Sequence, residues 1–417
     1  MRKRSSHPPR IALALAGGGP LGAIYEVGAL CALQDSLRGV DFTALEHYVG
    51  VSAGGFLSAA LANGITPAEL CDAFIGDGSS AGDHFDPAWL TIPAYGEFLR
   101  RCAMLPTLAA RSAWQFMVRR KPWLQALEAL GPGLPAGIFS NEHVHTELAA
   151  LFSRPGRSND FRKLRTKLTL VATDLDSGDA VPFGRPGWDH VPISRAVQAS
   201  AALPGLFPPV TIDGHDYVDG ALKKTLHASV VLEQGVDLLI CLNPLVPFDA
   251  SLRSDTRTDV TGTATRIPRI AQGGLPAVLS QTFRSLIHSR LELGMRQYER
   301  LYPETDIILI EPDHHDPELY LANTFSYGQR RHLAEHAYQQ TRHLLRARRS
   351  RLARILQAHG VTLNHDTLRD PNRRLCSTAQ SEPSLPWLPA LARLHYALDE
   401  LQSSVQAASP AARPSSW

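Results

Sequence analysis

Hydrophobic and polar positions over the first 245 residues alternate between two rhythms. Ile11-Ala12-Leu13-Ala14-Leu15-Ala16 is an unbroken apolar run of strand length, as are 168–172 and 238–242, and such runs suit strands covered on both faces. Residues 48–51 form a further short strand. Between these the period lengthens to that of helices at 21–34, from Gly55 to a stop at Asn63-Gly64, and after Thr66-Pro67-Ala68-Glu69. In that last segment Thr caps, Pro takes the first turn and Glu reaches back three residues after the cap. Val210-Thr211-Ile212, the turn Asp213-Gly214 and His215-Asp216-Tyr217-Val218 make a hairpin. The alternation predicts an α/β chain with a mostly parallel sheet.

Two glycine clusters stand at the ends of the first two strands. Gly17-Gly18-Gly19-Pro20-Leu21-Gly22 offers backbone N–H groups at the mouth of a helix, where donors lack partners and the dipole favours negative charge. Gly50-Val51-Ser52-Ala53-Gly54 has the G-x-S-x-G form of a nucleophile elbow, a sharp turn that lifts a serine hydroxyl clear of the backbone. A serine that attacks a carbonyl and a loop that holds the oxyanion make half of an acyl-transfer site. For the other half, a base, the hairpin leads into Asp219-Gly220-Ala221, which puts Asp219 at a strand end. Aspartate is also common in turns for conformational reasons alone.

Taken in order, the GGGPLG loop, the GVSAGG elbow, the stretch Gln198-Ala199-Ser200-Ala201-Ala202-Leu203-Pro204-Gly205-Leu206-Phe207-Pro208-Pro209-Val210 and Asp219-Gly220-Ala221 resemble the patatin-like phospholipases. The resemblance implies a three-layer α/β/α fold and a Ser52–Asp219 dyad, without a catalytic histidine, that hydrolyses acyl esters of lipids such as (lyso)phospholipids. It implies an oxyanion hole at Gly17, Gly18, Gly19 and Ala53, with Gly22, Gly50, Gly54 and Gly220 as the loop and elbow glycines, and no cofactor. Three positions depart from the pattern. Leu21 stands where many members have Lys or Arg, Ala221 replaces a glycine, and Lys223-Lys224-Thr225-Leu226-His227 replaces a common Asn-Pro segment. These leave open a lipid-binding protein that keeps the fold without turnover. Gly17-x-Gly19-x-x-Gly22 also matches a dinucleotide-binding fingerprint, hence an oxidoreductase, but its acidic residue, Asp41, precedes the second strand when it should follow it.

Residues 78–140 break the rhythm and concentrate Phe85, Trp89, Tyr95, Phe98, Met104, Trp114, Phe116, Met117 and Trp123. They read as a lid or acyl-chain funnel, or equally as the packing of an inserted helical segment. Residues 250–274 are polar and turn-rich. From His336 to His365 there is no acidic residue, while Arg342, Arg346, Arg348, Arg349, Arg351 and Arg354 crowd one predicted helix. Arg342, Arg346 and Arg349 then face either anionic headgroups, in peripheral contact with a membrane, or simply water. No aromatic platform interleaves them, so no nucleic-acid partner is expected. The organisation expected is an acyl hydrolase domain over 10–330 and a helical C-terminal extension over 331–417 whose end is disordered.

At 417 residues and 44% hydrophobic content the chain can bury a large core, and a net charge of +2 selects no class of partner. Five scattered cysteines without a CxxC pair point to a reducing, cytoplasmic compartment. Arg2-Lys3-Arg4 before the run 11–16 imitates a signal peptide, yet the run is short and is needed as the first strand. No stretch reaches the ~18 apolar residues of a membrane helix. His143-Val144-His145 and Asp313-His314-His315-Asp316 lack zinc spacing, and no loop matches calcium, so no metal is expected. Asp174 and Asp176 read as turn residues.

Overall fold

The computed structural model describes residues 8–75, 92–117, 130–249, 257–258, 264–265, 270–316, 318–319 and 329–375. Strands β1 (Ile11–Leu15), β2 (His47–Gly50), β3 (Lys167–Asp174), β4 (Ala180–Phe183), β5 (Val210–Ile212), β6 (His215–Asp219), β7 (Leu238–Leu242) and β8 (Asp306–Ile310) share one sheet. Its order is β8-β7-β1-β2-β3-β6-β5, with β4 also paired to β3. The five strands from β8 to β3 run parallel, whereas β4 and β6 run antiparallel to β3 and β5 runs antiparallel to β6. The hairpin turn places Asp213 and Gly214 at φ of 52° and 84°, the left-handed pair that matches strand twist.

Among the described residues the α-helices are α1 (Gly19–Ser36), α2 (Ala53–Ala62), α3 (Pro67–Ile75), α4 (Tyr95–Met117), α5 (Glu142–Phe152), α6 (Ile193–Ser200), α7 (Ser229–Leu232), α8 (Gly274–Leu301), α9 (Arg330–Ala347), α10 (Arg349–Ala358) and α11 (His365–Arg369). They cover both sheet faces. Side chains of β1 alternate between two cores: Ile11, Leu13 and Leu15 pack with α1, α2, α6 and α9, and Ala12, Ala14 and Ala16 pack with α7 and α8. The predicted cap of α3 is present, with Thr66 N–H donating to Glu69 at 2.7 Å and Glu69 N–H to the Thr66 hydroxyl at 3.2 Å.

Helix α1 is buried nearly all round because α9 lies against the side that the sheet leaves free. A Cβ at Gly28 would stand 2.3 Å from the Ala334 carbonyl oxygen, so only glycine allows this approach. Tyr338 donates to Asp35 at 2.7 Å, and residues up to Leu375 belong to the same compact unit.

The basic segment corrects one expectation. It breaks at Arg348 into α9 and α10, and Arg342 faces inward at 1% exposure. Its guanidinium donates to the carbonyls of Thr367, Asp370 and Arg373 and to Gln339, and lies over the Tyr338 ring. Its Nη1 and Nη2 thus meet carbonyls at and just beyond the end of α11, which water would otherwise satisfy. Arg346 and Arg349 are exposed. Helix α4 exposes Tyr95, Leu99, Met104, Trp114 and Met117, while Phe85, Trp89, Trp123 and the tail 376–417 lie outside the described residues. Among the described residues, no helix is long and apolar enough to cross a membrane.

Candidate active site

At the C-terminal edge of the parallel strands, β1 and β2 each run straight into a helix. Past Gly50 the chain stays tied to β1 through Val51 N–H and the Leu15 carbonyl, 3.2 Å, and then reverses at Ser52. Ser52 has φ 53° and ψ −124°, a left-handed conformation that strains a residue with a side chain. The surroundings hold it there. Ser52 N–H donates to the Ser200 hydroxyl at 2.8 Å, and that hydroxyl donates onward to the Val171 carbonyl at 2.6 Å. Gly54 N–H donates to Ala16 O at 3.1 Å, and a Cβ on Gly54 would come within 2.4 Å of that same oxygen. Gly50 packs on the Gly54–Gly55 backbone just as closely.

The glycine loop lies over this turn. A Cβ on Gly17 would stand 3.1 Å from Ser52 Cβ, and one on Gly18 would stand 2.7 Å from the Pro244 ring. Gly19, at φ 60°, opens α1 with no acidic residue in its first turn, and Ala53 opens α2. The leading N–H groups of both helices have no carbonyl partner within their own helix, so two positive helix ends meet beside Ser52. Gly22 packs against Pro244 behind them.

Asp219 ends β6, 3% exposed, with its N–H donating to the Ala202 carbonyl at 3.0 Å. One carboxyl oxygen accepts from Ala221 N–H at 2.8 Å, and the Ser52 hydroxyl is near enough to act on the carboxyl as a second donor. Burial pushes it up to about 6, against the lowering effect of those two donors. Gly220 follows so tightly that a Cβ would reach 2.1 Å from the Val171 carbonyl. The structure therefore brings together the serine, the aspartate and the glycine loop that the sequence singled out.

Nearby cations and histidines are turned elsewhere. Lys223 bonds the Gly178 carbonyl and Asp179 at 2.7 and 2.8 Å, and His215 pairs with Asp174 at 3.2 Å. His227 is buried with Nε2 3.2 Å from the Gly220 carbonyl; that oxygen can only accept, so Nε2 carries the proton. Burial lowers its pKa to about 4 and keeps the ring neutral. Asp41 accepts from Thr43 in a local turn before β2, away from the place a ribose-binding acid needs.

Sequence reasoning missed Ser200 and His227 as supports of the site. Ser200 lies 148 residues from the amide it holds, and its only local signal is a small polar residue at the end of α6. The loop beyond it carries Leu203 and Leu206, and Leu206 pairs with the backbone of Ile138 at 3.0 Å. These three apolar side chains are 37–50% exposed.

A sequence model described as patatin-like phospholipase matches residues 13–232, more than half of the chain. Uncharacterized NTE family proteins of Mycobacterium bovis and Mycobacterium tuberculosis are 25% identical over 262 residues, 63% of this chain and 56% of theirs. The chain thus spans about half the length of these curated relatives. Among solved structures, VipD from Legionella pneumophila is similar at 17% identity and a TM-score of 0.36, over 82% of this chain and 68% of that one. ExoU in its complex with SpcU, from Pseudomonas aeruginosa, is similar at 19% identity and a TM-score of 0.25, over 69% of this chain and 52% of that one. Nothing about this chain's activity follows from likeness of that degree.

Proposed function

Since the chain belongs to the patatin-like phospholipase family, we propose that it is a serine hydrolase of fatty-acyl lipid esters working through Ser52 and Asp219. The observation that carries this reading is a strained, elbow-held serine whose side chain lies close enough to a buried carboxyl to lower its pKa, beside the open ends of two helices. Asp219, ionised, takes the Ser52 proton as Oγ attacks the ester carbonyl. Backbone N–H groups of Gly17, Gly18, Gly19 and Ala53 stabilise the oxyanion, and Asp219 returns the proton to the departing alcohol. Water, giving its proton to the same carboxylate, then cleaves the acyl-serine and releases the fatty acid. The exposed apolar side chains of Leu203 and Leu206, on the loop whose Ala202 carbonyl accepts from Asp219 N–H, favour an apolar substrate portion such as an acyl chain.

A fluorophosphonate probe tests the assignment. Ser52 is expected to be the labelled serine, and Ser52→Ala to abolish ester hydrolysis with the circular dichroism spectrum unchanged. Labelling elsewhere, with hydrolysis surviving the substitution, overturns it. Lipid binding by the wild type without labelling or turnover would favour a binding protein on the same fold.

A further inference from the structure

We propose that the chain carries a second site, for a divalent transition-metal ion of the zinc class, formed by His288, Glu311 and His314. One ligand-type atom from each residue lies within 4.8 Å of the other two. His288 Nδ1 stands 3.7 Å from a Glu311 carboxyl oxygen, and the two imidazoles lie edge to face with centroids 4.8 Å apart. Ligands at ~2.1 Å from a tetrahedral ion are about 3.4 Å from one another, so small rotamer adjustments close the set. His288 Nδ1 is buried with no hydrogen-bond partner, an arrangement that costs free energy unless something binds the nitrogen.

Each ligand stands on an anchored element. Gln281, two turns before His288 on the same face of α8, bonds both the N–H and the carbonyl of Phe248, at 3.2 and 2.8 Å. Glu311 follows directly on β8, and the His314 carbonyl accepts from Asp249 N–H at 2.8 Å. Fully buried Asn243, at the end of β7, donates to Glu311 Oε1 at 2.7 Å and orients that carboxylate as an outer-shell partner does. Two imidazoles and one carboxylate suit zinc better than calcium or magnesium, which prefer oxygen throughout. Three ligands leave a fourth position for water. The ion would tie α8 to the ends of β7 and β8 next to Pro244, the residue that backs Gly18 and Gly22. The histidines lie 26 positions apart, so no short spacing announces them.

The test needs no lipid substrate and stands apart from the proposed hydrolysis. The full chain is stripped with chelator, and Zn2+ affinity and stoichiometry are measured by calorimetry and elemental analysis, with Co2+ absorption as a spectroscopic report. One equivalent of Zn2+ is expected, with a rise in Tm on saturation. His288→Ala and Glu311→Gln are each expected to weaken Zn2+ binding by at least about tenfold and to remove the Co2+ bands. Glu311→Gln keeps an acceptor for Asn243, so it separates ligation from folding. His332→Ala, in the separate exposed pair with Glu318, is expected to change neither. No uptake at micromolar free Zn2+, or binding unchanged in both His288→Ala and Glu311→Gln, overturns the proposal.

Discussion

Removing Asp219 from water shifts its carboxyl from the ordinary value of 3.8 up to about 6, and the shift has opposite consequences for chemistry and stability. As a base it becomes a better proton acceptor near neutral pH, so the acidic limb of the rate profile is expected near pH 6. For stability, the unfolded chain loses this proton near pH 4 while the native state keeps it to about 6. Stability therefore falls as pH rises between those values, by on the order of 2–3 kcal/mol, and stays lower above them. Asp219→Asn keeps the acceptor for Ala221 N–H and removes the charge. It is expected to abolish turnover about as fully as Ser52→Ala, yet to raise the urea midpoint at pH 7.5, with the gain gone at pH 4. An Asp219→Asn protein less stable than wild type at pH 7.5 would contradict the account. Ser200→Ala leaves Ser52 N–H buried without its partner, at a cost of about 1–3 kcal/mol. Because the elbow loses its tie, fluorophosphonate labelling of Ser52 is expected to slow well below the melting temperature, where a purely global loss of stability would leave the rate alone. His227→Gln retains an N–H for the Gly220 carbonyl and is expected to keep most activity; its loss there would argue for a histidine base.

Among the elements, the contact of α1 with α9 decides how far the core extends. Gly28 meets the Ala334 carbonyl with no room for a methyl group, and a backbone oxygen cannot rotate away. Gly28→Ala is expected to lower the urea midpoint by the equivalent of ~1–3 kcal/mol without changing the m-value, through overpacking of the helix pair. An unchanged midpoint would mean that the two helices part readily. This contact also marks where sequence reading stops. Strands β1, β2, β3 and β7, the hairpin and the cap of α3 were legible because each is written in neighbouring residues: an apolar run, an Asp-Gly turn, a Thr–Glu pair three apart. The elbow and the glycine loop were legible for the same reason. Ser200 beneath Ser52, α9 against α1, the inward turn of Arg342 and the meeting of His288 with His314 depend on partners far along the chain. Periodicity shows that a helix has an apolar face and leaves unsaid which surface covers it. Arg342 went astray in that way: arginine at helical spacing reads as solvent-facing, and only the carbonyls of 367–373 show why this one is not.

Across the molecule, charge is nearly balanced at +2, so any attraction to a membrane has to come from local clustering. Helices α9 and α10 supply one, with Arg346, Arg349, Arg351 and Arg354 all exposed and no acidic residue between His336 and His365. If this surface meets anionic lipid, each arginine contributes about 1 kcal/mol near the headgroups, and salt weakens the attraction as the screening length shortens from ~10 Å at 0.1 M. The double substitution Arg346→Glu and Arg349→Glu is then expected to reduce binding to phosphatidylserine-containing vesicles by more than tenfold, while turnover of a soluble short-chain ester is unchanged. Arg342→Met serves as the internal contrast. Its guanidinium is spent on the 367–373 carbonyls, so its loss is expected to lower Tm and leave vesicle affinity of the folded protein intact. Sedimentation with vesicles at 0.05 and 0.5 M salt distinguishes the outcomes: binding that ignores both salt and lipid charge would place membrane contact on the exposed apolar residues of α4 and α8 and not on the arginines.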